Sequence, residues 1–151
     1  MKTKFKDLTI WITGASSGLG EALAIAFAKK GATIILSGRN EDKLEAVKEQ
    51  CKKSKNHHIV PFDISDSEQT QAAYKSAINK AGKIDWLINN AGVSQRSLIM
   101  ETSEDVERQI MELDYFAQTR LTRLVLPAML EQGGGKIVMI SSIAGLIGTQ
   151  Y

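Results

Sequence analysis

The chain has 151 residues, enough for one domain with a real core. Apolar residues at 43% and charged residues at 24% are ordinary for a globular domain, and 19 basic against 17 acidic side chains leave a net charge of +2. That balance points to no nucleic-acid and no acidic-membrane partner. A single cysteine, Cys51, excludes an internal disulfide and makes a reducing compartment, the cytoplasm, the simple expectation. The N-terminal stretch MKTKFKDLTIWIT has no apolar run of signal-peptide or membrane-helix length.

Leu8–Thr13 (LTIWIT) reads as a short apolar strand. Leu19–Lys30 (LGEALAIAFAKK) reads as a helix apolar on nearly every face, stopped by Gly31. Ala32–Ser37 is the second strand and Glu41–Lys53 a more polar helix, with Lys52-Lys53-Ser54-Lys55 as its solvated end. Cys51 has no motif partner and is a structural or surface thiol. His57 and His58 lack a carboxylate or cysteine at metal-ligand spacing, and His58–Phe62 is the third strand. Asp66 caps a helix that runs to about Ala81 and ends at Gly82, and Asp85–Asn89 is the fourth strand.

The longest helix is expected from about Ser103 to Gln132. Val106, Ile110, Leu113, Ala117, Leu121, Leu124 and Ala128 hold helical spacing along one face of it. Pro127 inside it removes one backbone hydrogen bond and predicts a bend. Lys136–Ser141, after three glycines, is the fifth strand. Five strands joined by four helical crossovers predict an α/β fold, a parallel sheet covered on both faces.

The richest local signal is Thr13-Gly14-Ala15-Ser16-Ser17-Gly18-Leu19-Gly20, where strand one meets helix one. Glycines there let the backbone approach a pyrophosphate, and free N–H groups at the helix start bind the anion. The spacing Gly-x-x-x-Gly-x-Gly lacks the Gly-Lys-Ser/Thr ending of a Walker loop, which argues against an NTPase. Ser37-Gly38-Arg39 then ends strand two without the acidic residue that would receive the ribose hydroxyls of NAD. Arg39 offers a guanidinium to a 2′-phosphate, with hydroxyls from Ser16 and Ser17, so NADP(H) is expected over NAD(H), the latter staying possible. The alternative for Arg39 is a plain surface residue.

Together these motifs resemble the short-chain dehydrogenase/reductase family from strand one to the last residue. Thr13-Gly14-x-x-x-Gly18-x-Gly20 is similar to that family's cofactor turn, and Asn89-Asn90-Ala91-Gly92 to its second signature. Asp63-Ile64 matches the position that meets the adenine ring, and Leu124–Ser142 reads like its long helix and fifth strand. The resemblance implies a Rossmann-type doubly wound sheet and hydride transfer between nicotinamide and a small carbonyl or alcohol substrate. It places the substrate-polarising serine at Ser142 and gives Asn90, Ala91 and Gly92 cofactor contacts and a supporting role at the central strands. It implies a homo-oligomer for the complete enzyme.

Two departures stand out. The family's helix asparagine is Asp114 here, which accepts hydrogen bonds but does not donate when ionised, and is either a tolerated variant or a weakened relay. The family's Tyr-x-x-x-Lys, in which a nearby cation brings a phenol of pKa near 10 within reach of neutrality, falls beyond Tyr151 when counted from Ser142. Tyr151, with no lysine after it, is read as a loop residue. Residues 1–151 are thus expected to be a dinucleotide-binding domain incomplete at its C-terminal end, the N-terminal portion of an enzyme and by itself inactive. The alternatives are a non-catalytic dinucleotide-binding module and a truncated remnant. The loop Val93–Met100 is expected at the substrate pocket, with Arg96 read as a solvated loop arginine and contact with an acidic or polar substrate as its alternative.

Overall fold

A computed structural model describes residues 5–143 and 146–147. Its strands are β1 (Thr9–Thr13), β2 (Thr33–Ser37), β3 (His58–Ile59), β4 (Trp86–Asn89) and β5 (Lys136–Met139), all parallel, in the spatial order β3-β2-β1-β4-β5. The helices are α1 (Gly18–Lys29), α2 (Glu41–Gln50), α3 (Ser67–Ala81), α4 (Glu104–Met111) and α5 (Ala117–Glu131). The chain steps outward from β1 to β3, then α3 carries it back across β1 to β4 and β5. That reversal is the switch point of a doubly wound sheet, beside which a crevice opens past the carboxyl ends of the strands. None of the described helices is long and apolar enough to cross a membrane.

Strand alternation divides the apolar residues between two cores. Ile10, Ile12, Ile34, Leu36 and Ile88 pack with Ala24 and Ala28 of α1 and Leu44 and Val47 of α2. Trp11, Ile35 and Leu87 pack on the other face with Ala73 and Ala77 of α3 and Leu121, Val125 and Met129 of α5. Side chains two apart share a face, so the register Ile10↔Ile34, Trp11↔Ile35, Ile12↔Leu36 keeps each set together. At the amino ends of the strands Phe5, Phe27 and Trp86 form an aromatic trio, with the ammonium groups of Lys30 over Phe5 and Lys136 over Trp86.

Several expectations need correcting. α1 buries only Gly20, Ala24 and Ala28, a stripe of small residues that lets it sit close to the sheet, while Leu19 is 53% exposed. α2 stops at Gln50, three residues early. Lys53 then takes a left-handed conformation (φ 62°) and Ser54–Asn56 make a 3₁₀ turn, leaving Lys52, Lys53 and Lys55 exposed as expected. The third strand shrinks to two residues, although Val60 and Phe62 still donate to Leu36 and Gly38. The fifth ends at Met139, after which Ile140 donates to Asn89. The long helix is interrupted, not at Pro127, which lies inside α5, but by a π turn over Glu112–Phe116.

His57 and Cys51 have structural roles, and no His/Cys/Asp/Glu cluster among the described residues suits a metal. His57 Nδ1 accepts the Ile34 N–H at 3.0 Å, so Nε2, 3.0 Å from the Lys52 carbonyl, carries the proton and donates to it. Burial and the nearby Lys48 charge lower its pKa, against a smaller opposing effect of the Lys52 bond. A histidine held neutral by the fold takes up its proton more readily when unfolded. Its stabilisation is therefore complete above about pH 6.5 and is lost as pH falls through that value toward the folded pKa. The melting temperature should be level between pH 8 and 7 and decline below about pH 6.5. In His57→Gln it should start lower and decline less steeply; parallel melting curves for the two proteins across that window would remove His57 as the cause.

Candidate dinucleotide site

The crevice at the switch point is built first by the turn after β1. Gly14 has φ +64°, and a Cβ on it would lie 2.9 Å from the Ala91 Cα; a Cβ on Gly20 would lie 2.2 Å from the Gly14 carbonyl oxygen. Both positions require glycine on space alone, and Gly14 on conformation as well. Asn40 and Asp66 cap α2 and α3 through backbone N–H groups, and the bond from Gln69 chiefly holds the Asp66 carboxyl below its usual pKa. Ser17 occupies the same position before α1 but makes no side-chain cap. The first N–H groups of α1 thus remain available to an anion in the cleft, where the helix dipole favours negative charge.

The loop after β4 is fastened to that turn. The buried Thr13 hydroxyl oxygen accepts the N–H groups of Asn90 and Ala91, each at 3.0 Å. The Asn90 amide donates to the carbonyls of Thr13 (3.0 Å) and Gly14 (3.2 Å). Asn90 is therefore a strut between the ends of β1 and β4. Its neighbour Asn89, fully buried, donates to the Thr122 hydroxyl and the Met139 sulfur, and its Oδ1 has no partner among the described residues.

A cleft of about 400 Å³ runs across this junction. It brings together Thr13, Gly14, Ser16, Ser17, Leu19, Arg39, Asp63, Ile64, Asn90, Ala91 and Gly92 from the sequence-based set; Gly18 and Gly20 shape the turn without lining the cleft. Arg39 is exposed at its edge and has no hydrogen bond or ion pair among the described residues. Asp63 turns its Oδ1 to the N–H and hydroxyl of Ser65, at 2.9 and 2.7 Å, which shapes the segment beside the cleft.

A second cavity of about 480 Å³ continues past the shared residues Asn90–Val93 and is lined by Ser94, Asp114, Gln118, Ile140, Ser141 and Ser142. Ser142 thus stands at the far side of the Asn90–Val93 loop from the cleft. Asp114 Oδ1 accepts the Val93 N–H at 2.9 Å, and Gln118, nearly buried, donates to the Ala91 carbonyl at 2.8 Å. Among the described residues, Asp114 is the only charged one lining this cavity. Arg96 is exposed and lines neither cavity; Val93 and Ser94 are the part of the 93–100 loop that faces inward. Tyr151 lies outside the described residues.

Sequence reasoning missed Gln118, and with it Phe62 and Leu113 as lining residues. A polar residue four positions after Asp114 is the one trace Gln118 leaves in the sequence, since i and i+4 share a helix face. The acceptor role of Asp114 needs an oxygen rather than a charge. Asp114→Asn should change stability little, while Asp114→Ala should cost about 1 kcal/mol by freeing the Val93 N–H, as read by urea denaturation.

Comparison with known proteins agrees with this geometry. A family model described as short chain dehydrogenase matches residues 8–150. The human protein "Dehydrogenase/reductase SDR family member 7" is 45% identical over 146 residues, covering 93% of this chain and 43% of its own length. The Xenopus laevis "Dehydrogenase/reductase SDR family member 7B" is 39% identical over 147 residues, 93% of this chain and 46% of its own. The chain therefore spans less than half the length of these two relatives. A 7α-hydroxysteroid dehydrogenase structure, described as complexed with NADH and 7-oxo glycochenodeoxycholic acid, superposes with a TM-score of 0.92 at 31% identity, over 97% of this chain and 58% of that one. A short-chain dehydrogenase from Streptomyces avermitilis gives 0.88 at 34% identity, over 93% and 51%. With a five-stranded parallel sheet, a cleft at its switch point and a family match across nearly every residue, the chain belongs to the short-chain dehydrogenase family.

Proposed function

We propose that the protein is an NADP(H)-dependent oxidoreductase moving a hydride between nicotinamide and the carbonyl or alcohol carbon of a small molecule, in the complete enzyme as a homo-oligomer. One observation carries the reading: a single cleft holds a helix N-terminus without a side-chain cap and the guanidinium of Arg39, which is unpaired among the described residues. The first suits a pyrophosphate and the second a 2′-phosphate, and the two are presented by consecutive strand ends. The hydroxysteroid dehydrogenase neighbour's NADH supports the nicotinamide class, and Arg39 supports the phosphorylated form for this chain.

When bound, the dinucleotide supplies or takes the hydride. The chain's own residues would do the holding: the turn from Gly14 to Gly20 would take the phosphates, Arg39, Ser16 and Ser17 the 2′-phosphate, and Asp63 and Ile64 the adenine end. Asn90 and Thr13 fix the distance between the two halves of the cleft. The Ser142 hydroxyl would hydrogen-bond the substrate oxygen, in the cavity that Asp114 and Gln118 also line. Among these 151 residues no tyrosine is followed by lysine four positions later. We therefore infer that this chain by itself binds the dinucleotide with little or no turnover.

Titration of nicotinamide fluorescence tests the cofactor choice. Arg39→Ala should weaken NADPH about 10- to 100-fold, the worth of one charge-assisted contact, and leave NADH nearly unchanged. Wild-type protein that binds NADH as tightly as NADPH would overturn the preference. Incubating the 151-residue chain with NADPH and a panel of aldehydes and ketones should show no oxidation above background; rates of about 1 per second or more would contradict the inactivity.

A further inference from the structure

The long helical segment of the α3/α5 face carries an ion pair that the cleft residues do not include. At the π turn the Ala117 N–H bonds the Glu112 carbonyl, five residues back rather than four. In an unbroken α-helix, residues eight apart are offset by about 80° around the axis. The wider turn slows that rotation and brings Glu112 and Arg120 onto one face, with Glu112 Oε1 2.7 Å from Arg120 Nη2. Both side chains are about two-thirds buried, at 36% and 30% exposure.

The other terminal nitrogen of Arg120 reaches away from its own helix. Nη1 donates to the carbonyls of Ile64 and Ser65, 3.3 Å from each. These residues lie between β3 and α3, in the segment whose Phe62, Asp63 and Ile64 line the cleft. The Thr70 hydroxyl also bonds the Ile64 carbonyl, and Phe62 is tied to Gly38, but both contacts come from within the β2–α3 part of the chain. Among the hydrogen bonds to this segment, those from Arg120 come from the helix on the far side of the switch point. Only a guanidinium has the planar fork to serve a carboxylate and two carbonyls at once.

We propose that Arg120 is a positioning residue for the adenosine half of the dinucleotide, holding Asp63–Ser65 against the cleft while Glu112 orients its guanidinium. Arg120 does not line the cleft, so its effect passes through the backbone it holds. The proposal rests on the reading of the cleft as a dinucleotide site. It accounts for the π turn, which otherwise weakens a helix: without it the carboxylate and the guanidinium would face different ways.

The test uses two half-ligands, adenosine 2′,5′-bisphosphate and nicotinamide mononucleotide, titrated by NMR chemical shifts against wild type, Arg120→Met and Arg120→Lys. Arg120→Met should weaken the adenosine bisphosphate about tenfold and leave the mononucleotide within about twofold. Amide hydrogen exchange at Phe62–Ser65 should quicken in the same variant before any ligand is added. Arg120→Lys keeps the charge, but its single nitrogen cannot stand in for both Nη1 and Nη2, so it should show the same selective loss if the methionine variant fails to fold. Equal binding of both halves by the folded variants, or an equal loss of both, would overturn the proposal. Wild-type protein that binds neither half would instead overturn the dinucleotide reading, and the positioning role with it.

Discussion

Where the chain reverses its course across the sheet, β1 and β4 end side by side, and one buried hydroxyl joins the two loops that leave them. Thr13 Oγ1 accepts two successive N–H groups, those of Asn90 and Ala91, and Asn90 returns its amide to the carbonyls of Thr13 and Gly14. Buried polar groups are tolerated only when matched, and here each loop supplies what the other lacks. Loosening this knot would free the glycine turn and the floor of both cavities together. The glycine-turn end of the cleft and the cavity lined by Ser142 are for that reason one rigid object.

The helical segment from Glu104 to Glu131 extends that object in two directions. Asp114 and Gln118 reach the Ala91–Val93 loop, while Arg120, set by the π turn, reaches Ile64 and Ser65. A regular helix presents one broad face to one neighbour. The π turn changes the phase ahead of α5, and Gln118 and Arg120, two residues apart in α5 and so on different sides of it, serve loops on opposite sides of the sheet's midline. Leu121, Val125 and Met129, buried at regular spacing in α5, anchor this arrangement in the core.

The sheet, its crossovers and the glycine turn were legible because each rests on local chemistry: alternating apolar runs, caps such as Asp66, and glycines where only glycine fits. Ser142, Asp114 and the residues from Asn89 to Gly92 were singled out because the motifs they stand in carry the resemblance. The π turn was invisible, since nothing in ELDYF differs from helix-forming sequence; its wider turn matches contacts contributed by distant segments. Gln118 and Arg120 were missed for the same reason, as each acts on a backbone carbonyl, which has no signature in the sequence. Arg96, a charged loop residue near a motif, is exposed and lines neither cavity, a place that fits a solvated arginine. The third strand was drawn too long because apolar character continues through Phe62 after regular pairing has stopped.

Cys51, at the end of α2, is the sole cysteine of the chain, 3% exposed, and burial raises its thiol pKa. Native protein should therefore resist alkylating reagents until α2 lifts from Leu36 and its neighbours, because attack needs an exposed thiolate. The molecule carries an intrinsic reporter on one face of its sheet. The pace of labelling would register local opening on the face covered by α1 and α2, without an engineered label and without disturbing the opposite core.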